Sequence, residues 1–85
     1  MNVIPSKRFI SEARKLLKKN PLSGVKLEKT LYLLRTNCKH PSLRLHKLSG
    51  TENYSVSVDR SIRIISHFEG ETVFLLRIGT HNEVY

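Results

Sequence analysis

The sequence predicts an α+β fold in which an N-terminal antiparallel helix hairpin packs on a small, mainly antiparallel twisted sheet of about four strands. Apolar residues recur at helical spacing before Pro41, and the period changes to two after it. Turn-forming pairs separate the later apolar segments: Ser49-Gly50, Asp59-Arg60 and Glu69-Gly70. A chain of 85 residues fits one domain over 1–85 with a single modest core.

The N-terminal half contains one candidate strand and two helices. Asn2 to Ile4 is a candidate first strand, ended by Pro5, and Ser6 is a favourable N-cap. The first helix is predicted to end near Asn20-Pro21, and its apolar positions are Phe9, Ala13, Leu16 and Leu17. The second helix is predicted to begin at Ser23 or Gly24 and to end between Thr36 and Cys38, with an apolar face formed by Leu27, Leu31 and Leu34.

The C-terminal half predicts an antiparallel meander. Alternating side chains predict strands over 43–47, 54–58, 62–65 and 73–78. Strand parity places Arg63 on one face with Ile65. In the last strand, parity groups Arg77 with Val73 and Leu75 and places three residues on the opposite side: Phe74, Leu76 and Ile78. No C-terminal helix is expected, because the chain stops at Tyr85.

The charge is concentrated in the first half of the chain. Residues 1–40 contain ten Lys/Arg and two acids, whereas residues 41–85 contain five of each, and the net charge is +8. A polyanion-binding surface explains this asymmetry, and a solvated helical face is the alternative. Cys38 is the only cysteine, which excludes an internal disulfide. We expect a cytoplasmic protein, since neither a signal peptide nor a membrane-spanning segment is apparent.

Two arginines lie in apolar strand segments. Arg63 and Arg77 would form a phosphate cradle if neighbouring strands brought them together. The alternative is that each arginine forms an ordinary surface pair with one of three acids: Glu52, Glu71 or Glu83.

Two of the four histidines, His46 and His81, lie at predicted strand ends, where functional groups often occur. No ligand spacing supports a metal site, so neither a metal nor a small-molecule cofactor is expected. Two imidazoles, two guanidiniums and the aromatic Tyr85 suit metal-free RNA cleavage through the 2′-hydroxyl. In that chemistry the aromatic ring would stack on a base.

Three segments together resemble the RelE/ParE superfamily of toxin–antitoxin toxins, and most closely its YafQ-like mRNA interferases. They are HPSLRLHKLSG at 40–50, YSVSVDRSIRII at 54–65 and LLRIGTHNEVY at 75–85. The resemblance implies an α+β toxin that enters the ribosomal A site and cleaves mRNA there. It also implies an acidic antitoxin as the partner protein, without involvement of a membrane.

The resemblance implies roles for individual residues. His46 and His81 match proton-transfer groups, Arg63 and Arg77 match phosphate-binding groups, and Tyr85 matches the closing aromatic residue. The basic residues would then contact RNA: Lys7, Arg8, Arg14, Lys15, Lys18, Lys19, Arg44 and Lys47.

The chain departs from the YafQ-like pattern at the positions of two proton-transfer groups. Ser57 and Ser61 stand where those toxins carry a histidine and an acid, and Asp59 is out of step by two residues. Two other functions therefore stay open. ParE-like members of the superfamily inhibit DNA gyrase by binding it, and a catalytically decayed toxin would only bind its antitoxin.

Overall fold

The computed structural model describes residues 1–85 and contains a five-stranded mixed sheet with two long helices on one face. The elements are β1 (Asn2–Pro5), α1 (Lys7–Lys19), α2 (Ser23–Thr36), a 3₁₀ helix (Pro41–Leu43), β2 (His46–Lys47), β3 (Asn53–Ser57), β4 (Ile62–Glu69), β5 (Thr72–Thr80) and α3 (His81–Val84). The strand order is β1-β5-β4-β3-β2, with β1 parallel to β5 and the other neighbours antiparallel. The α+β prediction is confirmed, although the sheet has five strands rather than about four.

Ser6 links the start of α1 to the last strand. Its Oγ accepts a hydrogen bond from the Phe9 backbone N–H at 3.0 Å, which caps the helix. The same hydroxyl donates to the Leu76 carbonyl at 3.0 Å. β1 pairs with β5 only as far as Leu75, so Ser6 bonds the edge of β5 where β1 stops. The predicted first strand and N-cap are confirmed.

The core lies between the two long helices and the sheet. Its buried members come from both layers: Phe9, Ala13, Leu27, Leu34, Leu43, Val56, Ile62, Ile64, Val73, Leu75 and Ile78. Both predicted apolar helix faces contribute, which explains why the helices dock on this side of the sheet. None of the helices has the length and apolar character needed to cross a bilayer.

The segment before β2 differs from the prediction. Residues 43–47 were expected to form a strand, but Leu43 ends the 3₁₀ helix and is buried in the core. Arg44 follows with a left-handed φ of 46°, which interrupts any extended run. Pro41 starts the helical turn because proline needs no hydrogen-bonded N–H there and has a helix-compatible φ. Only His46–Lys47 pair as a strand.

Residues His81–Val84 form a one-turn helix that the sequence pattern did not predict. Thr80 Oγ1 accepts a hydrogen bond from the Glu83 N–H, and the Glu83 carboxylate accepts one from the Thr80 N–H at 2.8 Å. This reciprocal pair is a capping box, and Thr-His-Asn-Glu carries its sequence signature. The expectation of no C-terminal helix is therefore wrong, because two local hydrogen bonds fold the last residues.

Candidate functional site

The sheet face opposite the long helices, called here the outer face, carries one row of residues across four strands. His46 pairs with Ser55, Ser55 with Ile65, and Ile65 with Arg77. Directly paired residues project from the same side of an antiparallel sheet. Three strand spacings separate the two ends of the row by about 14 Å between Cα atoms. His46 and Arg77 therefore flank the outer face and do not form a contact pair.

Arg77 reaches the outer face because β5 contains a bulge. Ile65 pairs with Arg77 but Ser66 pairs with Leu75, so Leu76 is an extra residue in β5. The bulge allows three residues of β5 to share the core: Val73, Leu75 and Ile78. The parity prediction that grouped Arg77 with Val73 and Leu75 is therefore wrong, because simple alternation does not reveal a bulge.

A carboxylate from α1 holds Arg77. Arg77 Nη2 donates to Glu12 Oε2 at 2.7 Å, and Glu12 Oε1 accepts from the Ile78 N–H at 3.3 Å. Partial burial raises the pKa of Glu12, but the bonds from Arg77 and Ile78 outweigh it and hold that pKa below its usual value. The hydrogen bond to Glu12 also raises the pKa of Arg77. The pair therefore stays charged at neutral pH.

Arg63 shares the outer face with Arg77, but its hydrogen bonds go to the turn between β3 and β4. Its Nη1 donates to Ser57 Oγ at 3.2 Å and to the carbonyl oxygens of Asp59 and Ile62. Strand register thus assigns both arginines to the outer face, but Glu12 of α1 holds the Arg77 guanidinium and the β3–β4 turn holds that of Arg63. The phosphate cradle formed by the two guanidiniums stays a prediction.

Asp59 organises the same turn. Its Oδ1 accepts hydrogen bonds from the backbone N–H groups of Ser61 at 2.9 Å and Ile62 at 2.8 Å. Burial raises the pKa of Asp59, but the bonds from Ile62 and Ser61 outweigh it and leave that pKa lowered. Ser57 Oγ donates to the Asp59 carbonyl at 3.0 Å. The polar groups at these positions are thus engaged with one another and form the turn.

The final helix α3 brings His81 and Tyr85 together. Their rings are in edge-to-face contact with centroids 4.2 Å apart, and half of the Tyr85 surface is exposed. The helix packs directly on β5 at Gly79. A Cβ at that position would lie 3.1 Å from Glu83 Oε1 and 3.2 Å from Val84 Cγ1. The absence of a side chain at Gly79 is therefore what allows α3 to lie this close to the strand.

An open groove of about 860 Å³ separates α1 from the end of β5 and reaches α3. Its charged lining residues come from both sides: Glu12, Lys15, Lys18, Lys19, Arg77 and Glu83. Hydrogen bonds from Thr80 lower the pKa of Glu83, and Lys19 and Arg77 lower it further. Four cations against two acids leave a net positive groove that suits an anionic ligand.

The other predicted RNA-binding residues lie outside this groove. Lys7 and Arg14 line a second, smaller depression on α1, of about 370 Å³, which also includes Lys15. Arg8 lies 3.8 Å from Glu12 and is largely exposed. Arg44 and Lys47 are exposed residues on either side of His46. The structure thus divides the eight basic residues between α1 and the β2 edge.

Three solved structures have the same architecture. The toxin YafQ in its complex with DinJ from E. coli has a TM-score of 0.83 and 20% identity, covering 99% of this chain and 96% of that one. A metal-bound toxin from Helicobacter pylori has a TM-score of 0.82 and 21% identity, covering 100% and 99%. The YoeB-YefM complex from Staphylococcus aureus has a TM-score of 0.76 and 15% identity, covering 95% and 97%.

This chain has a RelE/YafQ-type toxin fold. No protein-family model and no curated protein sequence matches it. At such low identity the structural neighbours establish the fold, and the RelE/YafQ-type fold in turn makes sense of the sequence resemblance at 40–50, 54–65 and 75–85.

Within the RelE/YafQ-type fold, sequence reasoning missed Glu12 and Gly79. Glu12 is the only acid in α1, against six basic residues. A single acid among six basic residues could have identified Glu12 as unusual, although the sequence could not show that the partner of Glu12 lies in β5. Gly79 has an ordinary backbone conformation, and only the position of α3 reveals why it lacks a side chain.

No cluster of three or more His, Cys, Asp or Glu side chains in this structure could hold a metal ion. His46 lies in β2 and His81 directly follows β5, and the groove acids Glu12 and Glu83 are bonded to Arg77 and to the Thr80 cap. The groove residues therefore offer cations as their available functional groups, and His81 follows Thr80 at the border of the groove.

Proposed function

We propose that this protein is the toxin of a type II toxin–antitoxin system and that it cleaves mRNA on the ribosome. The observation that carries the proposal is the groove in which Arg77 and three lysines of α1 lie beside the helix bearing His81 and Tyr85. A phosphate backbone is the anion that such a row of cations suits, and an exposed aromatic ring suits an unpaired base. The fold shared with YafQ and YoeB supports the same function.

The proposed reaction needs two proton transfers and no metal. One imidazole removes the proton from the 2′-hydroxyl, and the 2′-oxygen then attacks phosphorus. The bond from phosphorus to the 5′-oxygen breaks, and the second imidazole donates a proton to that leaving oxygen. The products are a 2′,3′-cyclic phosphate and a 5′-hydroxyl end. Arg77 would stabilise the negative charge that develops on the phosphoryl oxygens.

We assign the proton transfers to His46, which lies in β2, and to His81, which directly follows β5. Tyr85 would stack on a base, since its ring is half exposed beside His81. Arg63 would contribute to phosphate binding only through the part of its guanidinium that the β3–β4 turn does not use. Arg77 is therefore the principal phosphate-binding residue in this proposal.

The proposed partners follow from the charge distribution and from a second surface. The cations of α1 would contact ribosomal RNA and mRNA, and the net charge of +8 suits an acidic antitoxin. An apolar groove of about 380 Å³ runs between β1, α1 and α2, and it is flanked by Arg14 and Arg35. We infer that an amphipathic acidic segment of the antitoxin occupies this groove, with its carboxylates at the two arginines.

The test is induction of the chain in bacterial cells carrying a translated reporter mRNA and an untranslated copy. Primer extension should show cuts only in the translated copy, and His81→Gln should abolish them without a large change in the melting temperature. His40→Gln is a matched control because His40 lies at the 3₁₀ helix, where a glutamine can also accept the hydrogen bond from Ser42.

The other outcomes lead to the two alternative functions. Growth arrest without cuts would contradict the nuclease, and a supercoiling assay would then test inhibition of gyrase. Absence of both arrest and cuts, with antitoxin binding retained, would indicate a decayed toxin. The observation that favours a decayed toxin is the set of hydrogen bonds that joins Ser57, Asp59 and Arg63 in the β3–β4 turn.

A further inference from the structure

Glu12 occupies an unusual position for a carboxylate in a basic helix. It is the only acid in α1, yet its side chain is directed at β5, and only 22% of it is exposed. A carboxylate that served only to balance the helix charge would contact its own helical neighbours. Glu12 does contact Arg8 one turn earlier at 3.8 Å, but its short hydrogen bond of 2.7 Å goes to Arg77, 65 residues away.

The three nitrogens of the Arg77 guanidinium lie in different environments. Nη2 is bonded to Glu12, and Nε is buried without a partner. Nη1 has no hydrogen-bond partner within the protein and is not among the buried atoms. Glu12 therefore fixes the guanidinium from one corner while Nη1 stays available to a ligand in the groove. A planar guanidinium held at one corner has a defined direction for its remaining donors.

Glu12 also holds the backbone that carries Arg77. Its Oε1 accepts the Ile78 N–H at 3.3 Å, on the edge of β5 beyond the last residue paired with β1. The two oxygens of one carboxylate thus fix the side chain of one residue and the amide of the next. Any movement of α1 relative to β5 would therefore displace both the Arg77 guanidinium and the Ile78 amide.

We propose that Glu12 is the positioning residue for Arg77, holding its guanidinium so that Nη1 meets a phosphoryl oxygen of the bound RNA. This inference rests on the proposed nuclease function. Glu12 does not itself touch the substrate. A group displaced by about 1 Å from its productive position loses on the order of 100-fold in rate, which is the scale of effect expected when the anchor is removed.

The first test compares Glu12→Gln with Glu28→Gln in a cleavage assay on translating ribosomes. The amide can still accept the Ile78 N–H, so the variant should fold, and Glu28 is an exposed acid of α2 outside the groove. We expect Glu12→Gln to lower the cleavage rate at saturating protein by roughly 10- to 100-fold. The protein concentration that gives half of the maximal rate should change little. Glu12→Asp, which keeps the carboxylate, should cleave faster than Glu12→Gln. An unchanged rate, or a faster one, in Glu12→Gln would overturn the positioning role.

A second readout does not depend on cleavage. Side-chain ¹⁵N NMR of Arg77 should show separate Nη signals in the natural chain, and these should merge in Glu12→Gln as the guanidinium begins to rotate. A short single-stranded RNA with 2′-O-methyl riboses, which cannot be cleaved through the 2′-hydroxyl, serves as the probe, and its effect on the Arg77 signals should weaken in the variant. If the natural chain cuts no mRNA, the proposed function fails. Identical Arg77 signals in both proteins would then overturn the positioning role as well, whereas merged signals and weaker probe binding would support it.

Discussion

Replacing Gly79 with alanine tests whether the close packing of α3 on β5 matters for activity. The added Cβ would lie 3.1 Å from Glu83 Oε1, 3.2 Å from Glu83 Cβ and 3.2 Å from Val84 Cγ1. Two of these are carbon atoms close to the helix backbone, so rotating one flexible side chain does not remove the clash. The helix itself must move away from the strand.

The distance by which α3 must shift determines the expected loss of cleavage rate. Carbon atoms in favourable contact are about 3.5 to 4.0 Å apart, so α3 must shift by several tenths of an ångström. That shift moves His81 and Tyr85 together, and a displacement approaching 1 Å costs on the order of 100-fold in rate. The cost in stability should be small because no residue of α3 is buried. Weakening of the capping box accounts for about 1 kcal/mol.

The assay compares Gly79→Ala with Gly24→Ala, which adds the same methyl group within α2. The Gly24 Cβ would lie 3.5 Å from Leu17 Cδ2, an ordinary contact, and alanine there favours the helix. We expect Gly79→Ala to lose roughly 10- to 100-fold in mRNA cleavage, while the free energy of unfolding falls by no more than about 1 kcal/mol. Full cleavage by Gly79→Ala would refute the reasoning, as would a loss of the whole fold.

The remaining predictions concern stability and the proposed chemistry. Ser6→Ala removes the α1 cap and the bond to Leu76, so urea denaturation should show a loss of about 1–2 kcal/mol, whereas Ser11→Ala, at an exposed helical position, should show almost none. The pKa values of Glu12 and Asp59 are lowered from the ordinary 4.5 and 3.8, so each ionised carboxylate stabilises the fold fully above its ordinary value. This stabilisation is lost as the pH falls through the lowered pKa of the folded state. In Glu12→Gln, the free energy of unfolding should therefore depend less on pH in this acidic range. Deleting residues 82–85 should remove toxicity in a growth assay while circular dichroism and antitoxin binding stay near those of the full chain. If His46 and His81 act in one reaction, the double glutamine variant should cleave no more slowly than the worse single variant, which single-turnover assays can measure.

The sequence predicted most elements because their determinants are local. The Ser6 cap, the helix ending before Pro21 and the Asp59 turn each depend on residues within about one helical turn. The 3₁₀ helix at Pro41–Leu43 was missed because Leu43 and Leu45 alternate as a strand would. The left-handed Arg44 between them is invisible to a pattern of polar and apolar residues.

The site was harder to predict because it depends on contacts between distant segments. Strand ends and basic residues identified His46, Arg77, His81 and Tyr85 as candidates, but the bulge at Leu76 determines the face from which Arg77 projects. The partner of Arg77 could not be deduced, since Glu12 is 65 residues away and every other acid of the chain is nearer in sequence. Local patterns thus predicted the candidate residues, whereas the packing of α1 against β5 determined that Arg77 contacts Glu12.

The β3–β4 turn limits which groups can transfer protons in the proposed reaction. Asp59 is the acid nearest to the position where YafQ-like toxins carry one, but its carboxylate accepts two backbone hydrogen bonds and its pKa is lowered. A carboxylate stabilised in its ionised form is a poor proton acceptor. Ser61 adds only a hydroxyl, which lies 3.3 Å from the same carboxylate. The turn therefore supplies no proton-transfer group, and in the proposed reaction this work falls to His46 and His81.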